Sequence, residues 1–359
     1  MKAGGLQCHA MTLWRLYAPI TLAVLFATNS GYAQAVRSAK IELGQYGFVK
    51  TNCAWRRDEI EFLDNEHIVL VAPTLKNCDK NLWDSPIDTV ISVINLQGDK
   101  IASTHRSDII RTSAGPDNSL AVCVGDRVDF LSSSLAVLTS LPLPEQKSIS
   151  RCSYFGVLSL SRNSLAIPGR GNWQLFRLPP SESTAVDVPK GFNVRAVADD
   201  GLLLCERERC EIDSTSGMIQ KFPPLPATAF ETDIRGLISK DKLLVADRSG
   251  KQLYTLTPSG DKTTVIDLSG IKPPFVNSSD VQLSASEPRR VLYRVDGCLL
   301  GDFDDCYGDI FHRFAVFDSS NGSLLFKHSY AADATLRISP DGHTVIEQDG
   351  TILHVFDLR

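Results

Sequence analysis

The sequence predicts an all-β fold, a ring of seven four-stranded antiparallel sheets closed by the N-terminal strand. Three observations carry this prediction. Beyond residue 35, short β-branched and aromatic runs alternate with turns rich in Gly, Pro, Asp, Asn and Ser, the pattern typical of all-β proteins. Similar units recur along the chain, and the last unit lacks one strand that the first segment can supply.

The repeat is clearest in the second strand of each unit. These strands begin at His67, Ser119, Ser164, Gly201, Lys242, Val291 and His343, between 37 and 52 residues apart. Third strands are centred on Ile94, Asp129, Phe176, Ile212, Tyr254, Phe317 and Phe356, and fourth strands follow in the first six units. A period of about 40–50 residues is that of propeller blades, so we expect a seven-bladed β-propeller; a pair of β-sandwiches is the alternative.

The seventh unit shows how the ring closes. Two tight turns, Asp341-Gly342 and Asp349-Gly350, separate its three strands, because Gly tolerates the positive φ that such turns need. The chain then stops at Arg359 without a fourth strand. The segment Ala39–Tyr46 (AKIELGQY) is the expected substitute, since a closed ring leaves no open sheet edge there.

The first 35 residues read as an export signal. They contain no Asp or Glu, and Arg15 precedes a 12-residue apolar run that is followed by Ala33-Gln34-Ala35. A basic segment, a short apolar core and small residues at the end are typical of a cleaved signal peptide. We expect residues 1–35 to be removed and 36–359 to form a single domain in the periplasm or outside the cell. Met11 is a possible alternative start, and an uncleaved anchor is the alternative to cleavage, although 12 residues are too few to span a bilayer.

Composition narrows the possible partners. The net charge is −5, and losing Lys2 and Arg15 with the leader would lower it to −7. Nucleic-acid binding needs a basic surface and anionic membranes need a polybasic stretch, so neither is expected. We expect a monomer, without a membrane span after cleavage, that binds a protein or a small molecule.

The cysteines favour disulfides over zinc. Without Cys8, eight remain in the exported chain, and none forms the Cys-x2-Cys pair of a zinc site. Symmetry about predicted turns pairs Cys53 with Cys78 and Cys205 with Cys210. The remaining expected pairs are Cys298–Cys306, which would close a short loop, and, by elimination, Cys123–Cys152.

In its repeats, roughly residues 39–359, the chain resembles the WD40-like and YVTN-type β-propellers of exported bacterial proteins. The best-matching pieces are Ser339-Pro340-Asp341-Gly342 and Val355-Phe356-Asp357-Leu358. The resemblance implies a fold and an exported location. It fixes no function, because one fold hosts many activities.

The predicted ligand site is the mouth of the central channel, which the first strand of each blade should line. Charged residues near the starts of these strands could bind an anionic or sugar-like ligand, with Arg holding a carboxylate in bidentate fashion; alternatively, the charges of neighbouring blades simply pair with one another. The candidates are Asp58, Asp108, Asp233, Asp280, Asp333, Arg111, Arg151, Arg195, Arg235 and Arg337.

The sequence lacks the common motifs of hydrolytic active sites. The sequence contains no G-x-S-x-G elbow and no H-E-x-x-H pair. The acidic segment from Asp302 to Asp309 suggests calcium, but Cys306 stands where a third ligand belongs, so a solvated insertion is the better interpretation. We therefore expect a binding or scaffolding protein without a cofactor, a metal or catalytic residues. The alternative is a propeller-type lactonase or glycan-active hydrolase that uses channel-mouth carboxylates.

Overall fold

The computed structural model describes residues 36–49, 59–74, 87–143, 156–169, 172–178, 182–225, 233–247, 249–271, 275–301, 306–332 and 334–359. They form 28 β-strands and one short 3-10 segment, Gly44–Tyr46. All belong to one compact unit, Ala35–Arg359. No helix in these ranges has the length and apolarity that a membrane crossing requires.

The strands form seven four-stranded antiparallel sheets, which confirms the predicted seven-bladed β-propeller. The first strands of blades 1–7 are β2 (Glu59–Phe62), β6 (Arg111–Ala114), β10 (Val157–Leu158), β14 (Asn193–Ala198), β18 (Ile234–Ser239), β22 (Phe275–Leu283) and β26 (Thr335–Ile338). The second strands are β3 (His67–Pro73), β7 (Leu120–Val124), β11 (Ser164–Pro168), β15 (Gly201–Glu206), β19 (Lys242–Ala246), β23 (Arg290–Gly301) and β27 (Thr344–Asp349). The third strands are β4 (Ile87–Asn95), β8 (Arg127–Leu131), β12 (Asn172–Arg177), β16 (Arg209–Ser214), β20 (Gln252–Leu256), β24 (Cys306–Asp318) and β28 (Ile352–Asp357). The fourth strands of blades 1–6 are β5 (Lys100–Ile109), β9 (Val137–Pro142), β13 (Glu182–Asp187), β17 (Ile219–Lys221), β21 (Lys262–Asp267) and β25 (Leu324–Ser329).

The N-terminal strand completes blade 7, as predicted. Strand β1 (Val36–Glu42) pairs antiparallel with β28, and its register places Lys40 opposite His354. Past the strand, the Leu43 amide donates to the carbonyl of Thr351 at 2.7 Å, and the Leu43 side chain is fully buried. The two ends of the propeller thus share one sheet.

Apolar side chains hold the blades together in pairs. Seven clusters of buried residues occur, and each joins one blade to the next around the ring, the last joining blade 7 to blade 1. The second strands supply much of this core because both of their faces are covered; Leu120–Val124, for example, is buried throughout. Both-face burial explains why these strands read as continuous apolar runs in the sequence.

The turns of blade 7 confirm the sequence signals. Gly342 and Gly350 both have positive φ, +77° and +56°. Gly342 has no room for a side chain, since a Cβ there would collide with Arg290. The turn is completed by Ser339, whose hydroxyl donates to Asp341 at 2.6 Å.

The structure confirms one predicted disulfide. Cys205 and Cys210 lie opposite each other in β15 and β16 and are bonded.

Two other cysteines, Cys123 and Cys298, are also disulfide-bonded. Their predicted partners, Cys152 and Cys306, lie outside the residues whose side chains are described.

Cys53 and Cys78 also lie outside the described residues. The neighbouring hairpin pairs Phe62 with Ile68, a register one residue away from the symmetry used to predict that disulfide. The Cys53–Cys78 pair therefore stays a prediction.

Candidate functional site

The first strands of all seven blades line one central cavity of about 300 Å³. Its position follows from the blade order, because the first strand of each blade is the one nearest the ring axis. The charged side chains in the described lining are Glu61, Arg162, Arg195, Arg235 and Arg337. Four guanidinium groups thus face one carboxylate, although the whole chain carries a net charge of −5.

Two of these arginines occupy β-bulges. In blade 4 the register shifts between Val194 and Ala196, so Arg195 is the extra residue. In blade 5 it shifts between Ile234 and Gly236, so Arg235 is the extra residue. Bulges re-aim side chains beside functional sites, and here both bulged residues line the cavity.

The arginines differ in how far the protein already satisfies them. Arg337 donates from Nε to Glu61 Oε1 at 2.6 Å, which joins blade 7 to blade 1. The Nε atoms of Arg162 and Arg235 are both buried without a hydrogen-bond partner among the described residues. Arg162 still donates from Nη2 to blade 1, whereas no hydrogen bond joins the guanidinium of Arg235 to a described residue. A buried donor without an acceptor costs free energy, so a bound anion would stabilise Arg235.

Arg162 lies where the central cavity meets the turns between first and second strands. It stands in the turn between the first and second strands of blade 3, with φ of +60°, where blade 7 has Gly342. From this turn its Nη2 donates to the carbonyls of Phe62 at 2.6 Å and Leu63 at 3.1 Å in blade 1. Burial lowers the pKa of the Arg162 guanidinium, and the charges of Glu61 and Asp64 oppose that shift.

Arg289 of blade 6 is a second arginine that binds backbone carbonyls of other blades. It is 5% exposed and donates to the carbonyls of Ile238 in blade 5 at 2.6 Å and Leu160 in blade 3 at 3.3 Å. Burial lowers its pKa, against the raising effect of Glu287 and Asp199. Arg162 thus links blade 3 to blade 1, and Arg289 links blade 6 to blades 5 and 3.

The central cavity adjoins a second cavity. A second depression of about 310 Å³ lies among the turns between first and second strands, and Arg162, Ala285 and Pro340 belong to both linings. These shared residues therefore lie between the two cavities.

The rest of the central lining is largely apolar. It includes apolar residues from five blades, namely Phe62, Val157, Leu158, Leu160, Leu237, Leu283 and Ile338. Of these, the side chains of Phe62 and Leu237 are buried in the clusters between blades. Val157 is 46% exposed, which is unusual for a valine on a first strand. The cavity therefore combines an apolar wall with cationic groups.

The structure brings together three of the ten predicted site residues, Arg195, Arg235 and Arg337. Asp108 lies instead on β5, the fourth strand of blade 1, where it pairs with Arg106 at 2.7 Å. Arg111, Asp233 and Asp280 are described but are not in the cavity lining.

Three further candidates, Asp58, Asp333 and Arg151, lie outside the described residues. The sequence interpretation missed Glu61, Arg162 and Arg289. The alternation of EIEF could have indicated Glu61, whereas the positive φ of Arg162 has no sequence signature.

A separate polar cluster lies in blade 6. Asp296 accepts hydrogen bonds from Tyr330 and, at 2.8 Å, from Ser278, and the Nδ1 of His312 lies 2.8 Å from it. Burial acts to raise the pKa of Asp296, but these bonds and Arg294 outweigh it, so the pKa lies below its usual value. The cluster ties three strands of blade 6 to the segment that leads into blade 7.

No metal site is evident where side chains are described, since no three His, Cys, Asp or Glu residues converge there. The side chains of the acidic segment from Asp302 to Asp309 are not among those that the structure describes.

No protein-family model matches this sequence, and neither does any curated protein. Among solved structures, the chain is similar to the Pan2 WD40 domain of Neurospora crassa, with 10% identity, a TM-score of 0.49, and 90% of this chain and 97% of that chain covered. It is also similar to Hsv2 of Kluyveromyces lactis, with 10% identity, a TM-score of 0.45, and coverage of 84% and 98%. A chain of the mitotic checkpoint complex has 13% identity, a TM-score of 0.49, and coverage of 92% and 97%. These similarities assign no function to the chain.

Proposed function

We propose that this protein is an exported, non-catalytic binding protein of the YVTN type, and that it holds a small anionic ligand in the central cavity. One observation carries the ligand assignment. The described lining combines four arginines with a single carboxylate, and the Nε of Arg235 is buried without an acceptor in the described part of the chain. Unsatisfied buried donors are rare in folded proteins, and an anion would supply the missing acceptor.

Export is supported by the amino-acid sequence and by the cysteines. The leader carries the basic, apolar and small-residue segments of a signal peptide. Cys205–Cys210 is bonded, and Cys123 and Cys298 are bonded too. Disulfides persist in oxidising compartments, which fits a periplasmic or extracellular protein.

The enzyme alternative requires carboxylates at the cavity. Of the predicted aspartates, those that the structure describes lie elsewhere, and Glu61, the lone carboxylate in the described lining, is paired with Arg337. A general acid or base needs a carboxylate within reach of the substrate. Binding is therefore the function that the geometry supports better than hydrolysis.

Thermal unfolding with a panel of small anions tests this proposal. The panel contains phosphate, sulfate, succinate, benzoate and hexanoate, each added as the sodium salt at constant ionic strength. We expect at least one anion to raise the Tm of the wild type and not that of Arg235→Gln, because a ligand that binds only the folded state stabilises it. Arg359→Gln is the control, since Arg359 is exposed and pairs with Asp357. Equal shifts in all three proteins, or none, would reject the central cavity as an anion site.

A further inference from the structure

We infer that the ligand of the central cavity carries a single carboxylate on an apolar body, as a short-chain or aromatic carboxylic acid does. This inference rests on the proposed function and specifies the ligand class. It comes from three features of the cavity: the arginine that remains without an acceptor, the partly exposed apolar side chains, and the volume.

The lining arginines differ in how many partners they already have. Arg337 is already paired with Glu61, and Arg162 already donates to two backbone carbonyls. Arg195 makes contacts of its own within the chain. The Nε of Arg235 is buried without an acceptor in the described part of the chain. One planar guanidinium fork matches one carboxylate, so we assign the carboxylate of the ligand to Arg235.

The wall selects an apolar body. Val157 lines the cavity and is 46% exposed, and the lining residues Leu158, Leu160 and Leu283 are partly exposed. Burying apolar ligand area against such a wall is favourable at about 25 cal/mol per Å². Phosphate, a fully hydrated ion, has no apolar area to bury and so gains no binding free energy from this wall.

The size of the cavity limits the size of the ligand. A cavity of about 300 Å³ lies at the small end of the usual range for ligand pockets, which suits a ligand the size of benzoate or hexanoate.

Isothermal titration calorimetry on the purified full chain tests the ligand class with benzoate, hexanoate, benzyl alcohol, succinate and inorganic phosphate. We expect benzoate and hexanoate to bind at least tenfold more tightly than the other three. In Arg235→Gln their affinity should fall at least tenfold, and in Arg359→Gln it should not change.

A second variant keeps the test valid if Arg235→Gln does not fold. Val157→Glu places a competing carboxylate in the cavity at a position that is already 46% exposed. It should abolish benzoate binding and retain the wild-type circular dichroism spectrum, whereas Val157→Ala, which removes apolar area without adding a charge, should bind benzoate measurably but more weakly than the wild type.

The outcomes separate the two proposals. If succinate or phosphate binds through Arg235 and benzoate does not, the ligand class is wrong and the anion site stands. If benzyl alcohol binds as well as benzoate, the carboxylate is irrelevant and the ligand class is wrong. If no compound binds in an Arg235-dependent way, both proposals fail.

Discussion

Replacing Arg162 should destabilise the propeller by an amount that its two roles predict. Its side chain donates two hydrogen bonds to carbonyls of blade 1, and bonds from a charged donor contribute about 1.5–3 kcal/mol each. The loss is partly offset because the variant no longer buries a guanidinium. We expect Arg162→Ala to lower the free energy of unfolding by about 2–4 kcal/mol.

The backbone gives a second, independent signature. Arg162 has φ of +60°, a conformation that costs a residue with a Cβ about 1–2 kcal/mol and costs Gly nothing. Arg162→Gly should therefore be about 1 kcal/mol more stable than Arg162→Ala, although both lose the same hydrogen bonds. Guanidinium denaturation followed by fluorescence measures both differences.

Asn118 supplies the matched control. It is exposed, has φ of +57° in the corresponding turn of blade 2, and does not reach across the axis. Asn118→Ala should cost about 1 kcal/mol and Asn118→Gly almost nothing. If Arg162→Ala proved no less stable than Asn118→Ala, the link between blades 3 and 1 would contribute nothing and the reasoning would be refuted.

Three further predictions follow from the fold. Ile41→Ala, at a site only 5% exposed in the closing strand, should cost about 2–4 kcal/mol in denaturant unfolding, whereas exposed Glu42→Ala should stay within about 0.5 kcal/mol; equal costs would contradict closure by this strand. Cys205→Ser should cost about 2 kcal/mol for so short a loop, and non-reducing peptide mapping of the wild type should recover Cys205 joined to Cys210. Because the pKa of Asp296 is lowered in the folded state, its stabilisation is present above about pH 4 and lost as pH falls. Asp296→Asn should be less stable than the wild type at pH 6, and this difference should narrow as the pH falls below about 4; a difference that stays constant into the acid range would show that Asp296 does not titrate as described.

The fold was predictable because its strongest physical signal is local. Second strands are covered on both faces by neighbouring blades, so runs such as Leu202–Leu204 stay fully buried and stand out as apolar segments. The missing strand of blade 7 was equally visible, since a sheet edge there would be unpaired unless Ala39–Tyr46 covered it.

The site was only partly predictable because local distortions decide which side chains reach the axis. Arg195 and Arg235 were among the predicted residues, but the bulges that carry them insert a residue without an obvious sequence marker. Asp108 was placed near a first strand, but β5 continues to Ile109, so Asp108 belongs to the outermost strand. Arg162 was missed because its turn resembles an ordinary polar turn until its φ is known.

A crystal structure of the protein with 4-bromobenzoate would test the central cavity as a carboxylate site most directly, because bromine can be located by its anomalous scattering. The carboxylate should lie within hydrogen-bond distance of Arg235, with the bromine towards Val157 and Leu158. Bromine located beyond Arg162, in the depression among the turns, or bound elsewhere with the central cavity empty, would contradict the proposed ligand site.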